Sequence, residues 1–139
     1  IDRIIQLFQR SNQFNLTTIR YNYNQIESIM KNRSYKTFQL LLSDKFSKYG
    51  IISLLVCKIE QKDLIIENWV MSCRVLNRTL ENLIMNELCT FCIKNNLKFM
   101  LGKFIPTQKN DLVSALYINL GFKKVSANKK LQKFIYTIK

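Results

Sequence analysis

Histidine is missing from this sequence altogether. Its absence leaves the four cysteines, Cys57, Cys73, Cys89 and Cys92, without a side chain that commonly activates a thiol or completes a zinc site. Cys89 and Cys92 make a C-x-x-C, but the pair lies within a helical pattern and no second pair exists. Reduced, packed thiols of a cytosolic protein are therefore expected, with no metal. Three glycines, one proline and no low-complexity tract argue against disorder. No apolar run is long enough to span a bilayer and no signal-peptide pattern opens the chain, so a cytoplasmic protein with no membrane partner is expected. Acidic residues are also scarce, 9 against 22 Lys and Arg, for a net charge of +13. A solvated lysine- and asparagine-rich surface explains much of this. An acidic partner or a phosphorylated cofactor is the functional alternative. Nucleic acid is disfavoured, because no helix concentrates arginines and no aromatic-basic binding motif is present.

What is present suits one domain over 1–139, with close to half the residues apolar. An Ile at the first position points to a piece of a longer polypeptide. Residues 1–11 read as a short amphipathic helix, TTIRY as a strand, and 23–32 as a second helix. TFQLLLS (37–43), IISLLVCKI (51–59) and LIIENWVMSC (64–73) read as three strands in an antiparallel meander, the middle one covered on both faces. A long helix follows from Thr79 to Asn95, with Leu80, Leu83, Ile84, Leu88 and Phe91 as its buried stripe. KFMLGKFI (98–105) is a strand. Asn110 is placed to cap a further helix through Tyr117, which Gly121 ends in the left-handed conformation. FKKV and KFIYTIK supply the last strands. The order implies an α+β (mixed α/β) fold, a sheet with helices on both faces.

Between the third strand and the long helix lies R-x-x-N-x-T, from Arg74 to Thr79. This loop resembles the R-x-x-G-x-G/A loop of N-acetyltransferase (GNAT) folds, in which backbone N–H groups and a helix N-terminus hold the pyrophosphate of coenzyme A. Asn77 and Thr79 stand where glycine is expected. Asn77 tolerates the left-handed turn, whereas the Thr79 side chain restricts close approach of an anion. NDLVSALYINLGF (110–122) resembles the second helix of that fold, whose tyrosine, at the position of Tyr117, often protonates the departing thiolate. NQFNLTT (12–18), SCRVLNR (72–78) and IPTQKN (105–110) followed by LYINLGF together resemble the C-terminal, GNAT-like part of FkbH-like proteins. Those proteins join a phosphatase-like (HAD-type) domain to a GNAT-like domain, and are associated with loading a glyceryl unit onto an acyl carrier protein.

The resemblance implies a GNAT-like acyltransferase domain with an upstream HAD-like domain and an acyl carrier protein as partners. Its ligand would be acetyl-CoA or a phosphopantetheine thioester. Arg74, Asn77, Arg78, Thr79 and Asn110 are the candidate cofactor-binding residues, Tyr117 the candidate acid, and Glu67, on the central strand, a candidate base through water. Asn12, Asn15 and Cys73 are further candidates near substrate. Each has a plainer reading: Arg74 pairs with Glu67 or a carboxyl terminus, Asn12 and Asn15 bond loop backbone, Cys73 is a packed thiol, and Tyr117 is a core tyrosine. Two other functions fit the sequence, a non-catalytic module that docks an acidic carrier and a free-standing acetyl-CoA-dependent N-acetyltransferase.

Overall fold

A computed structural model describes residues 4–5, 7, 15–17, 21–43, 48–71, 80–107, 110, 113–127 and 130–138. Ile4, Ile5 and Leu7 are helical. The named elements then run α1 (Tyr23–Lys31), β1 (Tyr35–Ser43), β2 (Lys48–Glu60), β3 (Asp63–Met71), α2 (Leu80–Lys94), β4 (Phe99–Phe104), α3 (Leu116–Asn119), β5 (Lys123–Ala127) and β6 (Gln132–Thr137). One six-stranded sheet has the order β1-β2-β3-β4-β6-β5. Every neighbouring pair is antiparallel except β3 with β4. That parallel pair requires a long crossover, which α2 provides.

Local chemistry fixes the element ends. Asn22 caps α1 in a reciprocal box: its side chain accepts from the Gln25 N–H at 2.9 Å, and the Gln25 side chain accepts from the Asn22 N–H at 2.8 Å. Gly121, at φ +98°, ends α3 while the Phe122 N–H donates to the Tyr117 carbonyl at 2.9 Å.

The sheet buries apolar side chains on both faces. Leu55, Cys57, Trp69 and Met71 join Ile84, Met85, Leu88 and Cys92 of α2 in the larger cluster. Leu54, Val56 and Val70 alternate to the other face, against Ile4, Leu7 and Ile26. β2 is thus covered twice, as its unbroken apolar run predicts.

Two sequence expectations need correction. Leu83 is about half exposed, while Met85 and Cys92 are buried. The stripe of α2 is turned about its axis relative to the predicted one, so that Met85 and Cys92 join Ile84 and Leu88 in the core and Leu83 lies at its edge. The predicted helix from Asn110 is also much shorter. Among the described residues of that stretch only Leu116–Asn119 is α-helical, preceded by a 3-10 turn at Val113 and turns at 114–115. Asn110 is not its cap, because its side chain is committed to bonds before and across the chain. Asn15, two residues before TTIRY, makes an isolated bridge to Val70; residues 18–20 of the predicted strand lie outside the described set.

Candidate active site

β3 and β4 begin as partners and then part. Their ladder runs from Asp63–Phe99 to Ile66–Gly102 and goes no further. On its other side β3 stays paired with β2 as far as Met71. The register there jumps: Cys57 faces Ile66 and Val56 faces Asn68, so Glu67 is an extra residue on β3. A bulge of this kind bends its strand and adds twist. The bend falls where β4 is lost, and a fork opens between the ends of β3 and β4.

Tyr117 covers one face of this fork. It is almost fully buried, with its ring centroid 4.9 Å from Phe122, 5.3 Å from Phe134 and 6.5 Å from Trp69. Gly102, the last β4 residue of the parallel ladder, lies directly beneath it. A Cβ there would sit 2.5 Å from Tyr117 Cε1 and Cζ. Only glycine permits that approach, the usual meaning of an isolated glycine in a strand. The Tyr117 hydroxyl is buried without a hydrogen-bond partner. Burial pushes the phenol well above its ordinary range, the Cys57 thiol adds to this, and the nearby Lys103 backbone acts the other way, although it makes no bond of acceptable geometry to the hydroxyl.

The opposite face of the fork is polar. Glu67 Oε2 accepts from Lys103 Nζ at 2.9 Å, a part-buried ion pair joining the two diverging strands. Glu67 is therefore tied to Lys103; Arg74, its other candidate partner, lies outside the described residues. Burial, then the Glu67 charge, raises the Tyr21 phenol.

Residues 15–17 lie in the gap itself. Asn15 bridges Val70, and the Leu16 N–H donates to the Trp69 carbonyl at 3.2 Å. The Leu16 carbonyl accepts from the Ile105 N–H at 2.7 Å. The Thr17 N–H donates to Asn68 Oδ1 at 3.2 Å and Thr17 Oγ1 to the Glu67 carbonyl at 3.0 Å. Fully buried Asn110 braces this arrangement: Nδ2 donates to the Asn15 carbonyl at 3.0 Å and the Ile105 carbonyl at 2.9 Å, and Oδ1 accepts from the Thr107 N–H at 2.8 Å. Its amide works inside the protein, as a brace.

Of the sequence candidates, the structure brings Glu67, Asn15, Asn110 and Tyr117 around one fork. Asn12, Cys73, Arg74, Asn77, Arg78 and Thr79 lie outside the described residues. Sequence reasoning passed over Gly102, Lys103, Leu16, Thr17 and Asn68. A glycine inside KFMLGKF was the available signal for the first; the others depend on contacts distant in sequence. Among the described residues, no group of three His, Cys, Asp or Glu side chains gathers for a metal ion, and no helix is long and apolar enough to cross a membrane.

A sheet whose central parallel pair diverges at a bulge, with a tyrosine over the fork, is the arrangement of the N-acetyltransferase (GNAT) fold, and this chain has that fold. It is similar to the GNAT domain of S. lividans PAT, with a TM-score of 0.77 over 98% of this chain and 84% of that one at 4% identity. The ribosomal-protein-S18-alanine N-acetyltransferase from Escherichia coli gives 0.71 over 96% and 84% at 13% identity. The PaiA N-acetyltransferase from Thermoplasma acidophilum, solved in complex with coenzyme A, gives 0.65 over 82% and 67% at 12% identity. No protein-family model matches the sequence, and no curated protein matches it significantly.

Proposed function

We propose that this chain is a GNAT-type acyltransferase domain that passes an acyl group from a pantetheine thioester to a nucleophilic acceptor. One observation carries the reading: the buried, partnerless hydroxyl of Tyr117 belongs to a ring seated over the fork between β3 and β4. A buried hydroxyl without a partner is costly, and a ligand sulfur in the fork would satisfy it.

The thioester supplies the activated acyl carbon. Tyr117 holds a proton at Oη for the sulfur as the C–S bond breaks and negative charge gathers there. Its raised pKa keeps that proton in place across the physiological range. Backbone N–H groups of β3 beyond the fork would polarise the acyl carbonyl. Arg74, Asn77, Arg78 and Thr79, which precede α2 in the sequence, would hold phosphate. The coenzyme A held by the Thermoplasma neighbour supports the choice of ligand class. Glu67 serves first as a brace of the fork, and acts as a base only where Lys103 yields it.

The finer reading is an FkbH-like protein, with the thioester on an acyl carrier protein and an upstream HAD-like domain. Its support is the three sequence motifs, two of which touch through the bond from Asn110 to Asn15. A D-x-D-x-[TN] motif upstream of residue 1 would bear this out, and a longer sequence without one would remove it.

The enzyme reading is tested by following thiol release from acetyl-CoA and from an acetylated carrier protein, with amine and hydroxyl acceptors. Tyr117→Phe should lower kcat by about 10²-fold or more, the usual range for a lost general acid. No thiol release from either thioester would contradict the proposal. A non-catalytic docking role is the second reading, favoured by the filled gap and the charge of +13. Salt-sensitive carrier binding without coenzyme binding would select it.

A further inference from the structure

We propose that Asn15, Leu16 and Thr17 form an internal strap that closes the thioester slot, with Asn110 as its latch. The inference rests on reading the fork as that slot. The strap behaves as a short extra strand. It bonds to one wall through the Leu16 N–H and the Trp69 carbonyl, and to the other through the Leu16 carbonyl and the Ile105 N–H. Its central side chain is fully buried, in the same apolar cluster as Trp69 and Tyr117. A pantetheine arm lying along β3 needs the backbone edge at Trp69 that the strap already holds. The two occupants exclude one another.

The latch is built from one amide. Asn110 Nδ2 donates both to the strap, at the Asn15 carbonyl, and to the far wall, at the Ile105 carbonyl. Thr17 adds a side-chain bond to the Glu67 carbonyl at the bulge. A ligand can shift such an equilibrium only through a contact it makes in one state and not the other. Tyr117 supplies that contact. Its hydroxyl has no partner while the strap is closed, and gains one when a sulfur takes the place of Leu16. The apparent affinity for a thioester is then reduced by the fraction of molecules that are open, so loosening the strap should tighten binding.

Two substitutions loosen it without emptying the core. Asn110→Asp keeps the acceptor for the Thr107 N–H, loses both Nδ2 donations, and sets a carboxylate against two carbonyls. Thr17→Val keeps the shape and loses the bond to Glu67, and it remains available if Asn110→Asp fails to fold. The test is amide hydrogen exchange at Leu16 and Ile105 in the full chain, with and without acetyl-CoA, beside calorimetric affinities. Leu16 is expected to be protected in the free protein and to lose protection as acetyl-CoA binds. The folded variants should exchange faster there and bind acetyl-CoA at least tenfold more tightly. Acetyl-CoA binding to the unaltered chain with Leu16 still protected would overturn the strap, and so would loosened variants that bind no better. Absence of binding to the unaltered chain and to both variants is a different failure: it overturns the thioester reading, and the strap with it.

Discussion

The ring of Tyr117 rests on Gly102, so close that a Cβ at Gly102 would come within 2.5 Å of two ring carbons and 2.8 Å of a third. The tyrosine is held by aromatic neighbours on its other sides, so it has little room to retreat. Gly102→Ala is expected to cost about 1–3 kcal/mol through overpacking. It should also displace the Tyr117 hydroxyl and reduce turnover. Thermal melting and turnover together check this. Adding Tyr117→Phe should not restore the stability, because the clash is with ring carbons rather than the hydroxyl.

Tyr117→Phe alone should separate stability from activity. The hydroxyl is buried without a partner, and its removal should stabilise the folded protein by about 1 kcal/mol. The same change removes the proposed proton donor. The expected pair of results is a higher Tm and a lower kcat. A fall in Tm of similar size would mean that the hydroxyl contributes to stability in the resting protein.

The buried thiols set a limit at high pH. Burial pushes the Cys92 thiol up from 9.0 to about 11, with Cys89 adding to the effect. Between these values the unfolded chain releases the proton and the folded chain keeps it. Stability from this group is therefore complete below about pH 9 and declines as pH rises toward 11. Cys57 and Tyr117, also raised, extend the decline upward. Melting temperatures measured from pH 7 to 11 should be lower at the alkaline end, and the drop between pH 9 and 11 should shrink in Cys92→Ala.

The fold was legible in the sequence to the extent that local pattern governs it. The meander of β1 to β3, the helix α2 and the stop at Gly121 follow from apolar periodicity and turn chemistry. The facing of α2 was read only in part. Leu83 and Met85 are both apolar, and periodicity alone could not choose which of them would be buried. The site was legible where a residue type announces itself, as with Tyr117. It was not legible where two distant segments meet. Lys103 reaches Glu67 across 36 residues and Asn110 reaches Asn15 across 95. No window of sequence contains either pair, and Leu16 and Thr17 read as an ordinary polar loop until the fork places them.

The loop from Arg74 to Thr79 carries a prediction from the sequence. Asn77 can adopt a left-handed turn, but the Thr79 side chain would crowd an approaching pyrophosphate. Asn77→Gly combined with Thr79→Gly should tighten acetyl-CoA binding, measured by titration, and dephosphorylated pantetheine should gain nothing. Unchanged affinity for acetyl-CoA would mean that this stretch is a turn and holds no phosphate.

The most direct test of the thioester reading is a calorimetric titration of the unaltered chain with acetyl-CoA, carried to millimolar ligand and repeated at two salt concentrations. The account expects saturable binding of one acetyl-CoA per chain that weakens as salt rises, because arginines meet phosphate. A flat titration at millimolar acetyl-CoA, in the unaltered chain and in Asn110→Asp alike, would contradict it.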